Sequence, residues 1–175
     1  RKEEGINVKF RIKEEGFLPA LAIGINDTGS GFYSSEYIVA SYGINKIDFH
    51  LGVGWGALNG SEDNFKNPFS DIDKSFENRN LDASEKDGLY EPKRYFSGEK
   101  VSKFFGLSYV LNDSIIIKAE HDTTLTPGLI GFETPQDDFS YAVEYSVNKN
   151  FSFGVSHERG NFNSFKFIYK RKPNL

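Results

Sequence analysis

Strict alternation of apolar with polar residues, sustained over stretches of about ten residues, is the feature that most restricts the fold. Ile6, Val8, Phe10 and Ile12 interleave with Asn7, Lys9, Arg11 and Lys13. Phe49, Leu51, Val53 and Trp55 interleave with His50, Gly52, Gly54 and Gly56. The same period returns at Phe105 to Leu111, Ile115 to Ala119, Tyr141 to Val147, Phe151 to Val155 and Phe165 to Tyr169. Successive side chains of a strand face opposite sides, so each stretch has one apolar face and one polar or small face. No stretch keeps a helical period.

The alternation predicts nine strands: 6–14, 18–26, 34–44, 46–57, 103–111, 114–122, 139–147, 150–158 and 161–170. They average about ten residues, against about five or six for ordinary soluble strands. Tilted membrane-crossing strands need about nine to eleven. The links alternate in length. Those after strands one, three, five and seven are short, and the link over 58–102 is long and polar. Tight turns on one side and long loops on the other are the habit of a transmembrane β-barrel. The short link Arg159-Gly160 departs from it. The expected fold class is therefore all-β: an antiparallel up-and-down transmembrane barrel of which about nine strands are seen. Residues 1–175 would form a segment of one such domain, with an external loop at about 58–102. An even total is expected for a bacterial single-chain barrel, so at least one further strand is expected beyond this segment.

Composition narrows the chemistry. The 175 residues include no Cys, which excludes disulfides, thiolate metal sites and Cys nucleophiles. They include no Met either, so the chain is expected to be a piece of a longer one. The net charge of -4, with both signs interspersed, argues against a nucleic-acid partner. The longest mostly apolar run, 17–25, is too short for a spanning helix.

The polar face carries Lys9, Arg11, Lys13, Glu36, Asp48, Lys118, Glu120, Glu144 and Glu158 as candidates for lining a barrel lumen. Glu120, Asp122, Glu144 and Glu158 also invite a reading as paired carboxylates for glycoside cleavage. A salt-bridged lumen accounts for them without catalysis, because cations share that face. Asp27 to Gly31 could be an anion nest or cation loop, but it lacks phosphate-loop spacing and reads as a hairpin loop. His50, His121 and His157 lie on separate strands, with no metal-pair spacing. His50 falls on the polar face, and His121 and His157 fall on the apolar stripe near strand ends. Gly52, Gly54 and Gly56 leave one face without side chains, which opens a groove or relieves crowding at a curved wall. Phe65, Phe69, Phe76, Tyr90, Tyr95 and Phe96 punctuate the long loop, where they can stack on sugar or form a small core of their own. No catalytic, cofactor or metal residues are assigned.

Pro19 to Asp27 runs into Gly29-Ser30-Gly31-Phe32-Tyr33-Ser34-Ser35-Glu36-Tyr37, followed by Asp48 to Gly56 and then Asn67-Pro68-Phe69. These segments resemble the YjbH-type family of exopolysaccharide and capsule biosynthesis outer-membrane proteins of Gram-negative bacteria. The likeness is tightest over 18–56 and looser over 96–170. The family pattern has Gly-Thr-Gly where Gly29-Ser30-Gly31 stands here. The residues of this chain that resemble the family's hallmarks are Gly29, Gly31, Glu36, Tyr37, Gly52, Gly54, Trp55 and Gly56. Family members are several times longer than this chain. The resemblance implies a non-enzymatic barrel in the bacterial outer membrane, often a lipoprotein. It would work with a lipid bilayer, a surface polysaccharide and other secretion proteins, without a cofactor. A porin-like channel for small solutes and a soluble carbohydrate-binding or carbohydrate-cleaving β-domain are the alternatives.

Overall fold

The computed structural model describes residues 6–27, 34–60, 62, 64–79, 95–125 and 134–170. It contains ten strands: β1 (Ile6–Lys13), β2 (Ala20–Asp27), β3 (Ser35–Ile44), β4 (Ile47–Gly56), β5 (Asn64–Lys66), β6 (Lys100–Asn112), β7 (Ile115–His121), β8 (Phe139–Ser146), β9 (Phe151–Glu158) and β10 (Phe162–Tyr169). They pair in the order β1-β2-β3-β4-β6-β7-β8-β9-β10, with β5 on β6. Every ladder with a described register is antiparallel. The expected up-and-down antiparallel order is present. Among the described residues no ladder joins β1 to β10.

Three expectations need correction. The tenth strand, β5, lies inside the segment expected to be a loop, together with two short 3-10 turns at Pro68–Asp71 and Lys74–Phe76. β6 starts at Lys100, earlier than expected, because its first residues pair with β5. The link between β1 and β2 spans 14–19. A bulge between Arg11 and Lys13 shifts the register before the last pair, Lys13 with Leu21, and Gly16 closes a bend by donating to the Leu18 carbonyl at 3.1 Å.

The chain forms two compact units. The first comprises Arg1–Tyr42, Leu51–Phe104 and Thr123–Thr126; the second comprises Gly43–His50, Phe105–Asp122 and Pro127–Leu175. In the first, register fixes the faces of β1, β2 and β3. Lys9 pairs with Gly24 and Gly24 with Tyr37, and Arg11, Ala22 and Val39 form the next row of that face. Val8, Ile25 and Glu36 share a row of the other face, as do Phe10, Ile23 and Ile38. All the buried apolar side chains among the described residues belong to this unit: Ala22, Val39, Trp55, Ala57, Tyr95 and Val101.

In the second unit, β6 to β10 make a meander whose registers stack residues into rows. One face carries Phe105-His121-Phe139, then Leu107-Ala119-Tyr141-His157-Asn163, then Tyr109-Ile117-Val143-Val155-Phe165. Ile115-Tyr145-Phe153-Phe167 follows. The opposite face carries Gly106-Glu120-Ser140-Glu158, Ser108-Lys118-Ala142-Ser156-Ser164 and Val110-Ile116-Glu144-Gly154-Lys166. Only Gly106 and Gly154 are buried among this unit's described residues.

Candidate functional site

The second unit reverses the usual burial of a one-sided sheet. Along β8 the apolar residues are the exposed ones and the polar residues are partly covered. Val143 is 41% exposed and Tyr145 48%. Along β9, Phe153 is 37% exposed while Ser152 and Ser156 are partly covered and Gly154 is buried. Rings crowd the two ends of the apolar face. His121 stacks on Phe105 and meets Phe139 edge-on, and Phe151 packs with Phe167 and Tyr169. The placing of His121 and His157 on the apolar stripe agrees with the alternation, and His157 shares a hydrogen bond with Asn163 there at 3.0 Å.

The opposite face is ionic and concave. Lys118 Nζ donates to Glu144 Oε1 at 2.9 Å, and Lys166 Nζ approaches the same oxygen at 3.7 Å. Glu120 and Glu158 flank Ser140 one row beyond Lys118. Ser156 Oγ donates to Glu158 Oε1 at 2.6 Å. Together with Asp122 and Arg159 these residues border a cleft of about 380 Å³. So four of the predicted polar residues, Lys118, Glu120, Glu144 and Glu158, come together. Asp48 is exposed on β4 with the parity of His50, and the missing side chain of Gly106 leaves room for the His50 ring.

Lys9, Arg11 and Lys13 are exposed on β1, where Arg11 lies 3.7 Å from Glu14. That pair is too solvated to contribute much. Glu36 differs from all of them. It lies opposite Ile25, in step with Ile23 and Ile38, so its parity is that of the apolar stripe. It is 0% exposed. Arg79 grips it with two bonds, Nη1 to Oε2 at 2.7 Å and Nη2 to Oε1 at 2.9 Å. The Phe96 amide adds a third at 3.0 Å. A buried carboxylate needs this many donors to offset its lost hydration.

Of the hallmark residues within the described range, Trp55 and Gly56 belong to the network around that carboxylate, through Phe96 and Arg79. Gly29 and Gly31 lie outside the described residues, as does Tyr90 of the long loop. Trp55 is fully buried between Phe69, stacked at 5.5 Å, and Phe96, edge-on at 5.2 Å. Its Nε1 donates to Asn67 Oδ1 at 3.1 Å. Asn67 Nδ2 reaches the carbonyls of Phe76, Phe96 and Gly98, and Asn67 Oδ1 caps the first 3-10 turn by accepting from the Phe69 amide. Gly56 has φ +63, and a Cβ there would collide with the Ser34 carbonyl and Arg79. Gly52 and Gly24 make room for the rings of Phe104 and Tyr37, and Gly54 for Leu58. The described part of the long segment thus has its own aromatic core, pinned to β3 and β4. Outside that core the exposed Lys66 pairs with Asp71, whose carboxylate holds the ammonium above its usual range.

Alternation alone does not point to Asn67 or Arg79. The signal for Asn67 is local: Asn followed by Pro at the first helical position marks a helix start. Arg79 carries no such signal, because its partner is 43 residues away. Among the described residues no group of three His, Cys, Asp or Glu could hold a metal, and no helix is long and apolar enough to cross a membrane.

No solved structure matches the chain. A curated Escherichia coli (strain K12) protein, "Uncharacterized lipoprotein YjbH", is 30% identical over 164 residues, which is 91% of this chain. The chain spans 23% of that protein's length. The YjbH family profile, described as "Exopolysaccharide biosynthesis protein YbjH", matches residues 1–175. With a match from end to end and a relative at this identity, the chain belongs to the YjbH family of exopolysaccharide biosynthesis proteins.

Proposed function

We propose that this segment is part of the wall of an outer-membrane β-barrel that serves exopolysaccharide biosynthesis or export without catalysing a reaction itself. The observation that carries the reading is the inverted exposure of β8 and β9: apolar rings outermost, ionic side chains on the sheltered face. Water gives such a face no reason to stay bare, since a sheet normally buries its apolar side against another layer. Acyl chains supply that layer. From Phe139 to Val147 the apolar face runs about 26 Å along the strand at about 3.3 Å per residue. Tilted by about 40°, it covers about 20 Å of depth, near the apolar band of about 25 Å in outer-membrane barrels. The rings at both ends match the aromatic girdles of such barrels. The relative's description as a lipoprotein fits membrane association.

On this reading the ionic face lines an enclosed polar space through which, or against which, the polysaccharide moves. Partner proteins of the export machinery would act alongside it. Glu144 is held by two lysines, which suits a structural role in the wall better than proton transfer.

Thiol labelling tests the bilayer assignment in the full-length protein. With Val143→Cys in intact outer-membrane vesicles, a membrane-impermeant maleimide is expected to leave the thiol unlabelled until the protein is denatured in detergent. Rapid labelling in the intact vesicles, or recovery of the full-length protein in the soluble fraction, overturns the proposal.

A further inference from the structure

The cleft on the ionic face of the second unit has a graded chemistry. Its floor is made of Ser140, Ala142, Gly154 and Ser156, none of which extends beyond a short side chain. At one end Lys118 and Lys166 converge on Glu144. At the other, Glu120 and Glu158 face each other across Ser140, with Asp122 beyond them. Three cations and four carboxylates line it, an excess of one negative charge. Both lysines are drawn to Glu144, and the third cation, Arg159, is held by Asp138 at 3.3 Å, so the excess is concentrated at the Glu120 and Glu158 end. The volume of about 380 Å³ lies at the small end of ligand sites.

We infer that this cleft is a subsite for a neutral sugar unit, bound through its hydroxyls by Glu120, Glu158 and the serines over the small-residue floor. This rests on the reading that the protein handles a polysaccharide. Carboxylates accept hydrogen bonds only, and adjacent sugar hydroxyls donate them in pairs. Serine hydroxyls both donate and accept, and Lys118 donates to a hydroxyl or ring oxygen from the opposite side. A uronate placed there would set its carboxylate against Glu120 and Glu158, and like charges at close range exclude it. A metal ion is a poorer occupant, since no group of three potential ligands converges among the described residues. The cleft is open and solvated, so each unit binds weakly, as suits a polymer that must move on.

Saturation-transfer NMR on the detergent-purified full-length protein tests this with a panel of neutral hexasaccharides of glucose, galactose and mannose, and with a galacturonate hexamer. At least one neutral probe is expected to bind, and the uronate is not. Glu120→Gln combined with Glu158→Gln removes two charge-assisted acceptors and should weaken the neutral probe by about tenfold. Ala142→Leu, which fills the floor while leaving every charge in place, should weaken it comparably. Circular dichroism confirms that each variant keeps its strands. Binding of the uronate as tightly as the neutral probes, absence of binding by every neutral probe, or unchanged binding in both variants overturns the inference. The Val143→Cys labelling reports on the bilayer separately. Sugar binding alongside a water-accessible thiol would keep the subsite and discard the barrel.

Discussion

The two units solve the same problem in opposite ways. Each begins with alternating strands that have one apolar face. The first unit covers the end of that face with its own chain. Leu51 is exposed, but Trp55, on the same side of β4, is sealed beneath Asn67, Phe69 and Phe96. The second unit brings no such cover, and its described residues include no buried apolar side chain at all. On the proposed reading the difference has a simple physical basis: the protein supplies its own packing where water reaches, and leaves it out where another apolar medium takes over.

Mutations can break that contrast. The largest effect is expected in the first unit from Glu36→Ala, which takes the carboxylate away from Arg79 and the Phe96 amide and leaves Arg79 the Ser34 carbonyl at 3.1 Å. Losing one partner of a buried pair costs about 3–5 kcal/mol. Denaturant unfolding of the full-length protein should show this, together with new proteolytic cleavage between 57 and 99. An unchanged midpoint would mean that the cluster is not what holds the long segment. Next comes Val143→Lys in the second unit. In lipid vesicles a lysine at mid-depth costs about 2–4 kcal/mol, whereas an exposed site in water tolerates it within about 0.5 kcal/mol. Comparing folding yield in vesicles with that in a neutral detergent-free buffer separates the two. Equal behaviour in both would erase the distinction between the units. The smallest effect is expected from Lys118→Met. Its pair with Glu144 is partly solvated and Lys166 stays close, so about 0–1 kcal/mol is lost, and less in high salt. A larger loss would mark the ionic face as drier than its exposure implies.

Much of this contrast was legible in the residues, and the parts that were not share a cause. The stripe Tyr141, Val143, Tyr145 and the facing set Lys118, Glu120, Glu144, Glu158 follow from period two, because neighbouring strands inherit each other's faces through register. Chemistry alone puts Glu36 on the polar face, whereas its row is set by Ile25 across the ladder. Distant donors, Arg79 and the Phe96 amide, make a carboxylate tolerable there. The segment 58–102 reads as a long polar loop because the order of its described residues comes from caps and one amide hub, which leave no periodic trace. Its short β5 and 3-10 turns fall below the length at which periodicity speaks.

The missing side chains of Gly24, Gly52 and Gly106 have one more consequence. Each leaves a notch that a single large side chain enters: Tyr37, Phe104 and His50 respectively. A notch accepts its ring only when the two strands are aligned as they are. Sliding one strand by a residue would drive the ring against a neighbour's methylene or backbone. On a face too polar for greasy attraction to choose the alignment, the fit of key to keyway chooses it instead.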